Sequence, residues 1–221
     1  TAFILATALI SSILVSRKSV RNHHEYFSFS SIKEMKKFPE VIILLLFCTS
    51  SFGIILTIYP AFLNDNGMTD TDILLLFFIF GISRVASLAL AGKFARKTSQ
   101  TLIAAVFAVS AGLAISVVAD SIITFAIALV LMGFGFSIFF PLTLEIILSK
   151  TKKGISGKII GAYETVFGMG WAIGPTIGGP ITQSLGDDTP YLIFCIIGIG
   201  VALLAIMTRK KLEPQRIQRL D

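Results

Sequence analysis

The basic residues of this chain are confined to four short clusters, and this confinement constrains the fold more than any other feature. Eighteen of the nineteen Lys and Arg residues belong to these clusters, which lie within 17–37, 93–97, 150–158 and 209–219. Between successive clusters the chain runs through two long apolar stretches, joined by a link that contains Asp but no cation. In proteins with several membrane spans, cations collect in the cytoplasmic loops. The alternation therefore predicts a chain that crosses a membrane repeatedly, with all four clusters on the cytoplasmic side.

Seven stretches of the sequence are candidate membrane spans. A helix needs about 20 residues at ~1.5 Å each to cross ~30 Å of hydrocarbon. The candidates are 1–16, 41–63, 73–91, 101–119, 122–148, 159–182 and 191–208. Backbone groups cannot stay unpaired in lipid, so the spans must be helices or strands of a closed barrel. Because runs such as 41–47 and 73–80 are continuously apolar, without the alternation of barrel strands, we predict an all-α polytopic membrane protein with seven transmembrane helices.

The composition excludes an ordinary soluble domain and argues against nucleic-acid binding. Hydrophobic residues make up 54% of the chain and charged residues 14%, whereas soluble domains carry about 25% charged residues. A net charge of +6 would suit a nucleic-acid partner, but the cations lie in short loops and a tail without interleaved aromatic residues. Cys48 and Cys195 are lone residues in apolar stretches, which favours buried thiols over a disulfide. We therefore predict the lipid bilayer as a partner, and no nucleic acid.

The penultimate span contains the clearest motif of the chain, a series of glycines around one proline. Its residues are Gly161, Gly170, Gly174, Pro175, Gly178 and Gly179. This spacing resembles the glycine–proline signature of the major facilitator superfamily of secondary transporters. That signature belongs to the fifth helix of antiporters in the family, whereas here it stands in the helix that the family's internal repeat makes equivalent, the eleventh. The resemblance therefore gives no direction of transport, and both efflux and uptake stay open.

A second motif lies in the loop after the third span. Gly92 and Lys97 match a loop motif of the same family, which consists of Gly, three residues, an acid and a base. Arg96 stands in place of the acid, and Ser99 in place of a later glycine. Such a weakened motif is similar to that of the second half of the family's twofold repeat, since the first half usually keeps the stronger form.

The resemblance extends over the whole chain and implies its domain organisation. Residues 1–16 correspond to a truncated last helix of the N-terminal half, 17–40 to the central cytoplasmic loop, 41–208 to the six-helix bundle of the C-terminal half, and 209–221 to a basic cytoplasmic tail. The sequence begins at Thr1 with a short apolar run, so we expect a fragment whose partner is the missing N-terminal half of the same transporter. The same organisation implies a multi-pass protein of the plasma membrane with its C-terminus in the cytoplasm.

Two ionisable residues lie deep inside the predicted spans. Placing an arginine at the bilayer centre costs about 2.5–3.5 kcal/mol, so Arg84 should face protein or water. Glu164 lies at a similar depth, which allows an Arg84–Glu164 ion pair, although the family fold implies that their helices flank opposite sides of the half-bundle. For both residues, contact with substrate or a role in gating stands beside a structural ion pair. Proton coupling is a further role for Glu164.

A third ionisable residue, Glu145, lies near the cytoplasmic rim, five residues before Lys150. Its position after Pro141 is similar to that of an acid in the family's tenth helix. We expect an ion pair between Glu145 and Arg96 or Lys97 that latches the inner side of the carrier in one state. A solvated carboxylate is the alternative.

Uncharged residues supply the remaining candidates. In the spans that the resemblance places along the cavity, the polar ones are Ser50, Ser51, Tyr59, Ser137 and Thr143. Tyr59 alternatively serves as an anchor at the membrane interface. Gly133, Gly135 and Pro141 would let their helix bend, as in the discontinuous helices of transporters. The glycines of the penultimate span either pack helices closely or form a hinge for alternating access.

Three functional classes fit an integral membrane protein of this kind. The one we favour is a secondary transporter that moves a small solute by alternating access, with the coupling ion, a proton or sodium, left open. An intramembrane enzyme would need a nucleophile or metal site, but His23 and His24 are adjacent loop residues, and neither H-E-x-x-H nor G-x-S-x-G occurs. A non-transporting scaffold or receptor is the alternative. The sparse charge of the cavity candidates favours a neutral or amphiphilic solute, and we expect no cofactor and no metal.

Overall fold

The structure, a computed structural model that describes residues 35–94, 97–151 and 155–214, confirms the all-α fold class. Within these ranges the chain forms helices and no strand. In chain order the α-helices are α1 (Pro39–Thr57), α2 (Tyr59–Asp65), α3 (Asp70–Phe94), α4 (Thr98–Val118), α5 (Ile122–Ser149), α6 (Ser156–Leu185) and α7 (Thr189–Met207). A 3-10 turn, Arg209–Leu212, follows α7.

Five of these helices, α1, α3, α4, α5 and α7, are long and apolar enough to cross a membrane. They coincide with five of the predicted spans. The predicted span 159–182 lies in α6, whose glycine, proline and polar residues keep it out of this apolar group. Its 30 residues nevertheless give a length of about 45 Å at ~1.5 Å per residue. The predicted span 1–16, most of the loop 17–40 and the tail beyond 214 lie outside the described residues.

The predicted span 41–63 is divided into two helices at Ile58. Pro60 has no N–H group, so the carbonyl of Leu56, four residues earlier, cannot receive its usual helical hydrogen bond. Two helical hydrogen bonds meet at the break: the N–H of Ile58 donates to the oxygen of Ile54 at 2.8 Å, and the oxygen of Ile58 accepts from the N–H of Phe62 at 3.2 Å. As a result, α2 continues from α1 without a loop, but as a separate helix of seven residues.

The bundle has a central group of helices and two flanking helices. The most extensive contacts join α4 with α5, α1 with α6, α3 with α5, and α4 with α7. Because α3 packs mainly on α5 and α6 mainly on α1, these two helices form opposite flanks. Both flanks expose large apolar side chains, among them Phe78 (65%) and Val85 (71%) on α3 and Trp171 (42%) and Ile177 (49%) on α6. Surfaces of this kind are stable against lipid or another protein surface rather than against water.

Glycines bring the backbones of α1 and α6 into contact. A Cβ atom on Gly174 would overlap the backbone oxygen of Ser50, and one on Gly170 would overlap the hydroxyl group of Thr49. One turn further along, a Cβ on Gly178 would lie 3.0 Å from the side chain of Ile58. In lipid, helices associate through close packing, and small residues permit it. These three glycines therefore have a packing role, one of the two predicted for them.

The approach is reciprocal, since α1 presents a glycine to α6. A Cβ on Gly53 would overlap the backbone oxygen of Trp171 and lie 3.0 Å from the ring of Pro175. Pro175 lies inside α6 and offers no N–H to the oxygen of Trp171, four residues earlier. The backbone of α1 thus fits against the turn of α6 at which the proline interrupts the hydrogen-bond ladder.

Polar contacts and one buried leucine join the helices at the end of the bundle where α7 finishes. Lys211, in the 3-10 turn, forms an ion pair with Glu40 at the start of α1, and its backbone oxygen accepts a hydrogen bond from Lys150. Leu212 is fully buried beneath them. Burial lowers the pKa of the Lys150 ammonium, and the nearby carboxylates of Glu40 and Glu213 partly offset this effect. These contacts hold the ends of α1, α5 and α7 together.

Candidate functional site

An open cleft lies between α1, α3, α5 and α6, about midway along these helices. It contains about 640 Å³ of empty space, and most of its surface is apolar. The side chains that line it are Cys48, Thr49, Phe52, Arg84, Leu88, Phe136, Ser137, Phe139, Phe140 and Phe167.

Helical spacing explains why these residues share one cleft. On α1, Thr49 and Phe52 are three residues apart and therefore lie on one face. On α5, Phe136 and Phe140 are four residues apart, and Ser137 adjoins the first of them. The ring of Phe52 lies edge-on to that of Phe136, with 5.2 Å between the centroids, so the two helices meet at the base of the cleft.

Close packing between α3 and α5 positions the charged residue of the cleft. A Cβ atom on Gly133 would lie 2.9 Å from the backbone oxygen of Phe80. One turn along α3, the hydroxyl group of Ser83 donates to the backbone oxygen of Val130 at 2.7 Å. These two contacts fix how α3 lies against α5, and the next residue, Arg84, projects into the cleft.

Arg84 is the only charged residue among those that line the cleft. Its Nε donates to the hydroxyl oxygen of Ser137 at 3.4 Å. The carbon of its guanidinium group lies 4.7 Å from the ring centroid of Phe52 and 5.6 Å from that of Phe80. Each such cation–π contact contributes about 0.5–2 kcal/mol. Among the described residues no carboxylate pairs with Arg84, so most of its five N–H donors have no partner there.

The two glycines of α5 have packing roles on different sides of the helix. Whereas Gly133 faces α3, a Cβ atom on Gly135 would lie 2.7 Å from the backbone oxygen of Ala105 on α4. Pro141 lies inside α5 and has no N–H for the carbonyl oxygen of Ser137, four residues earlier. The carbonyl oxygen that loses its usual helical donor thus belongs to the same residue whose hydroxyl group contacts Arg84.

Four of the five polar candidates lie away from the cleft. Thr143 is fully buried and donates to the backbone oxygen of Phe139 at 2.9 Å. Ser50 faces α6, where its backbone meets Gly174, and Ser51 is fully buried and donates to the oxygen of Phe47 at 2.8 Å. Tyr59 is also fully buried, so it is neither a lining residue nor an anchor at the membrane interface. Only Ser137 belongs to the lining. A polar residue in a span was thus a poor guide to the cleft, because short hydroxyl side chains can bond to their own helix.

The ion pair considered between Arg84 and Glu164 is not present. Their helices lie on opposite flanks of the bundle, as the resemblance implied, and the side chain of Glu164 is exposed. Glu145 and Lys97 are exposed as well, and no ion pair joins them in the part of the chain that the structure describes. Arg96, the other expected partner of Glu145, lies outside that part.

The remaining glycine candidates face open space. Around Gly92, Gly161 and Gly179, no atom would lie within 4 Å of an added Cβ. On α6 the glycines therefore fall on two faces: Gly170, Gly174 and Gly178 pack on α1, whereas Gly161 and Gly179 have no neighbour among the described residues.

Sequence reasoning missed the aromatic wall of the cleft. Phenylalanine occurs nineteen times in the chain, so no single one stood out as a site residue. The usable signal was the spacing of Phe136 and Phe140 around Ser137, together with Phe52 three residues after Thr49. Thr49 itself was overlooked, and it donates to the backbone oxygen of Leu45 at 2.7 Å.

A comparison with known protein families gives one description for this chain. A family model described as Major Facilitator Superfamily matches residues 2–163 and, in a second overlapping segment, residues 41–220. The second segment covers the bundle from the first turn of α1 to the end of α7, and with it every residue of the cleft.

Proposed function

The chain belongs to the Major Facilitator Superfamily, a family of membrane transport proteins, and we propose that it forms half of a secondary carrier for a small solute. In this proposal the carrier works by alternating access in the plasma membrane, with the end of α7 and the four cation clusters on the cytoplasmic side. The bundle α1–α7 is the C-terminal half, and a six-helix N-terminal half is its partner.

The observation that carries the proposal is the cleft around Arg84. It lies midway along four helices, and it combines an apolar wall with a half-buried charge that has no acidic partner among the described residues. A charged residue at this depth is costly in a bilayer and usually marks a substrate or ion pathway. A structural protein would gain nothing from leaving such a charge unpaired.

The exposed flanks support the presence of a second half. Large apolar side chains on α3 and α6 border the cleft from both sides. A second bundle packed against these flanks would cover them and close the cleft into a central cavity. Rocking of the two bundles would then open that cavity alternately to either side.

Two further groups of residues have roles in this mechanism. We infer that Glu145 pairs with Arg96 or Lys97, next to Gly92, when the inner side is closed, and that Glu164 takes part in gating through the second half. Gly161 and Gly179 would give α6 freedom to shift during the cycle, since their surroundings are open.

Transport measurements in proteoliposomes test the proposal. The full-length protein should move at least one member of a panel of radiolabelled small solutes, measured with and without a proton or sodium gradient. Arg84→Ala should abolish that transport, whereas Lys93→Ala, at the end of the same helix and outside the cleft, should preserve it. Membrane insertion of both variants, measured by immunoblot of the membrane fraction, should match the parent protein.

Absence of transport for the whole panel, or full activity of Arg84→Ala, would contradict the proposed mechanism. The first outcome would favour a scaffold or receptor, and the second would remove Arg84 from the pathway.

A further inference from the structure

Arg84 and its hydrogen-bond partner Ser137 both offer unused donors to the cleft, and this bears on its ligand. Arg84 donates one of its five N–H groups to the hydroxyl oxygen of Ser137. Within the described ranges, the hydroxyl group of Ser137 accepts that bond and donates to no other atom, so its hydrogen is available. Thr49, by contrast, has already used its hydroxyl hydrogen on the backbone of its own helix.

Among the residues that the structure describes, no acidic one lines the cleft. A cationic ligand would meet the guanidinium group of Arg84 without a carboxylate to compensate the repulsion. A neutral ligand would leave that group partly desolvated with most of its donors unused, which is unfavourable. An anion that accepts from Arg84 and from Ser137 would satisfy both residues at once, because hydrogen bonds between ionised partners are the strong ones.

The rest of the cleft wall defines the other end of the ligand. The rings of Phe52, Phe136, Phe140 and Phe167 line the cleft, and that of Phe52 lies 4.7 Å from the guanidinium carbon of Arg84. The ring of Phe140 lies edge-on to that of Phe167, with 5.7 Å between the centroids, so α5 and α6 present a continuous aromatic surface. Such rings favour a flat or aromatic body through stacked and edge-on contacts.

We propose that the cleft binds amphiphilic organic anions, with the anionic group held by Arg84 and Ser137 and an aromatic or apolar body against the phenylalanine rings. The inference rests on the proposed carrier function, of which it defines the substrate class. The sequence favoured a neutral or amphiphilic solute, and the proposal narrows this class to amphiphilic anions. The reason is that Arg84 has no acidic partner among the described residues of the cleft, which the sequence did not reveal.

Binding of two matched probes tests this assignment. The 4-nitrobenzoate anion and neutral 4-nitrobenzamide have the same ring and differ in charge, and nitroaromatic rings quench tryptophan fluorescence. Trp171 is the single tryptophan among the 221 residues of the sequence. Its ring centroid lies 5.8 Å from that of Phe52, which is a residue of the cleft wall. Quenching of Trp171 in the purified full-length protein therefore gives the affinity for each probe.

The parent protein should bind 4-nitrobenzoate at least tenfold more tightly than 4-nitrobenzamide. Arg84→Gln should remove this preference, whereas the control Lys93→Gln should leave it intact. Arg84→Lys should keep part of the preference, because lysine retains the positive charge but lacks the planar set of donors of the guanidinium group. Equal affinities of the two probes for the parent protein, or an unchanged preference in Arg84→Gln, would overturn the assignment. The comparison within the parent protein holds even if an Arg84 variant fails to fold.

Transport of the same two probes separates this inference from the carrier proposal. Movement of 4-nitrobenzamide or other neutral solutes but of no anion would overturn the anion assignment and leave the carrier proposal standing. Arg84-dependent binding of 4-nitrobenzoate without transport of any solute would uphold the assignment and overturn the carrier proposal.

Discussion

Two tyrosines in one aromatic cluster differ in what their hydroxyl groups can do. The ring centroids of Tyr59 and Tyr191 are 5.3 Å apart, and both side chains are fully buried. The hydroxyl group of Ser116 already donates to the oxygen of Gly112 at 2.9 Å, so Tyr59 must be the donor in its 2.6 Å bond to Ser116. The hydroxyl group of Tyr191 has no hydrogen-bond partner in the described ranges.

Phenylalanine substitutions at these two positions should therefore have different effects. Tyr59→Phe should lower the free energy of unfolding by about 0.5–1.5 kcal/mol, because it removes a satisfied buried hydrogen bond. Tyr191→Phe should leave that free energy unchanged or raise it, because it removes a buried polar group that lacks a partner. Unfolding of the detergent-purified protein in a denaturant titration measures both values. Equal losses in the two variants would mean that Tyr191 has a partner after all.

Sequence reasoning predicted some residues of the cleft and misplaced others for a physical reason. Arg84 and Ser137 were both candidates, and the structure brings them together because α3 and α5 meet closely at Gly133. Ser50 and Ser51 were equally good candidates, yet the backbone of Ser50 lies against Gly174 of α6, and the hydroxyl group of Ser51 bonds to its own helix. Neighbouring residues of a helix point about 100° apart, and an apolar helix in lipid gives no sign of which direction is inward.

The contact between α1 and α6 explains why two sets of glycines in one helix are not equivalent. The sequence shows a stripe of small residues on each of two neighbouring faces of α6. Both stripes permit close approach, so composition alone could not decide which one a partner uses. Gly53 of α1 packs against the α6 face that carries Gly170, Gly174 and Gly178. It did not belong to the glycine–proline motif of α6, so nothing in the sequence singled it out.

Alanine substitutions on the two faces of α6 should separate packing from open surface. Gly174→Ala should lower the free energy of unfolding by about 1–3 kcal/mol, since its methyl group would push against the backbone of Ser50. Gly179→Ala, five residues later, has no neighbour within 4 Å among the described residues and should be neutral or raise that free energy by up to about 1 kcal/mol through helix propensity. Thermal unfolding followed by size-exclusion chromatography compares the two variants. If Gly174→Ala is as stable as Gly179→Ala, the two helices do not pack as closely as described.

The course of the whole chain was predictable to a large extent, whereas the pairing of its helices was not. Long apolar stretches require helices in lipid, so their number and limits follow from hydropathy. Helix pairing depends on shape, and α3 illustrates the difficulty. It is as apolar as the other spans, yet only 17% of its span lies inside the bundle, compared with 67% for α1.

Labelling of single cysteines tests the threading of the bundle through the membrane. Asn66→Cys and Asp187→Cys lie in the links before α3 and before α7, and Lys210→Cys lies after α7. A maleimide that cannot cross membranes should label the first two in intact cells and the third only after lysis, because cations mark the cytoplasmic side. The native thiols of Cys48 and Cys195 are buried and should give little background. Labelling of all three positions from outside would contradict this threading.

The interruption at Ile58 divides one membrane crossing between two groups of neighbours. Before Ile58, α1 packs closely on α6 at Gly53, Gly170 and Gly174. After Ile58, the aromatic rings of α2 contact residues of α4, α5 and α7. If α6 shifts during transport, we expect the part of α1 before Ile58 to follow it, because their backbones are in contact, and α2 to keep its contacts with α4, α5 and α7. We therefore expect such a movement to end at Ile58, where Pro60 deprives the helix of one backbone hydrogen bond.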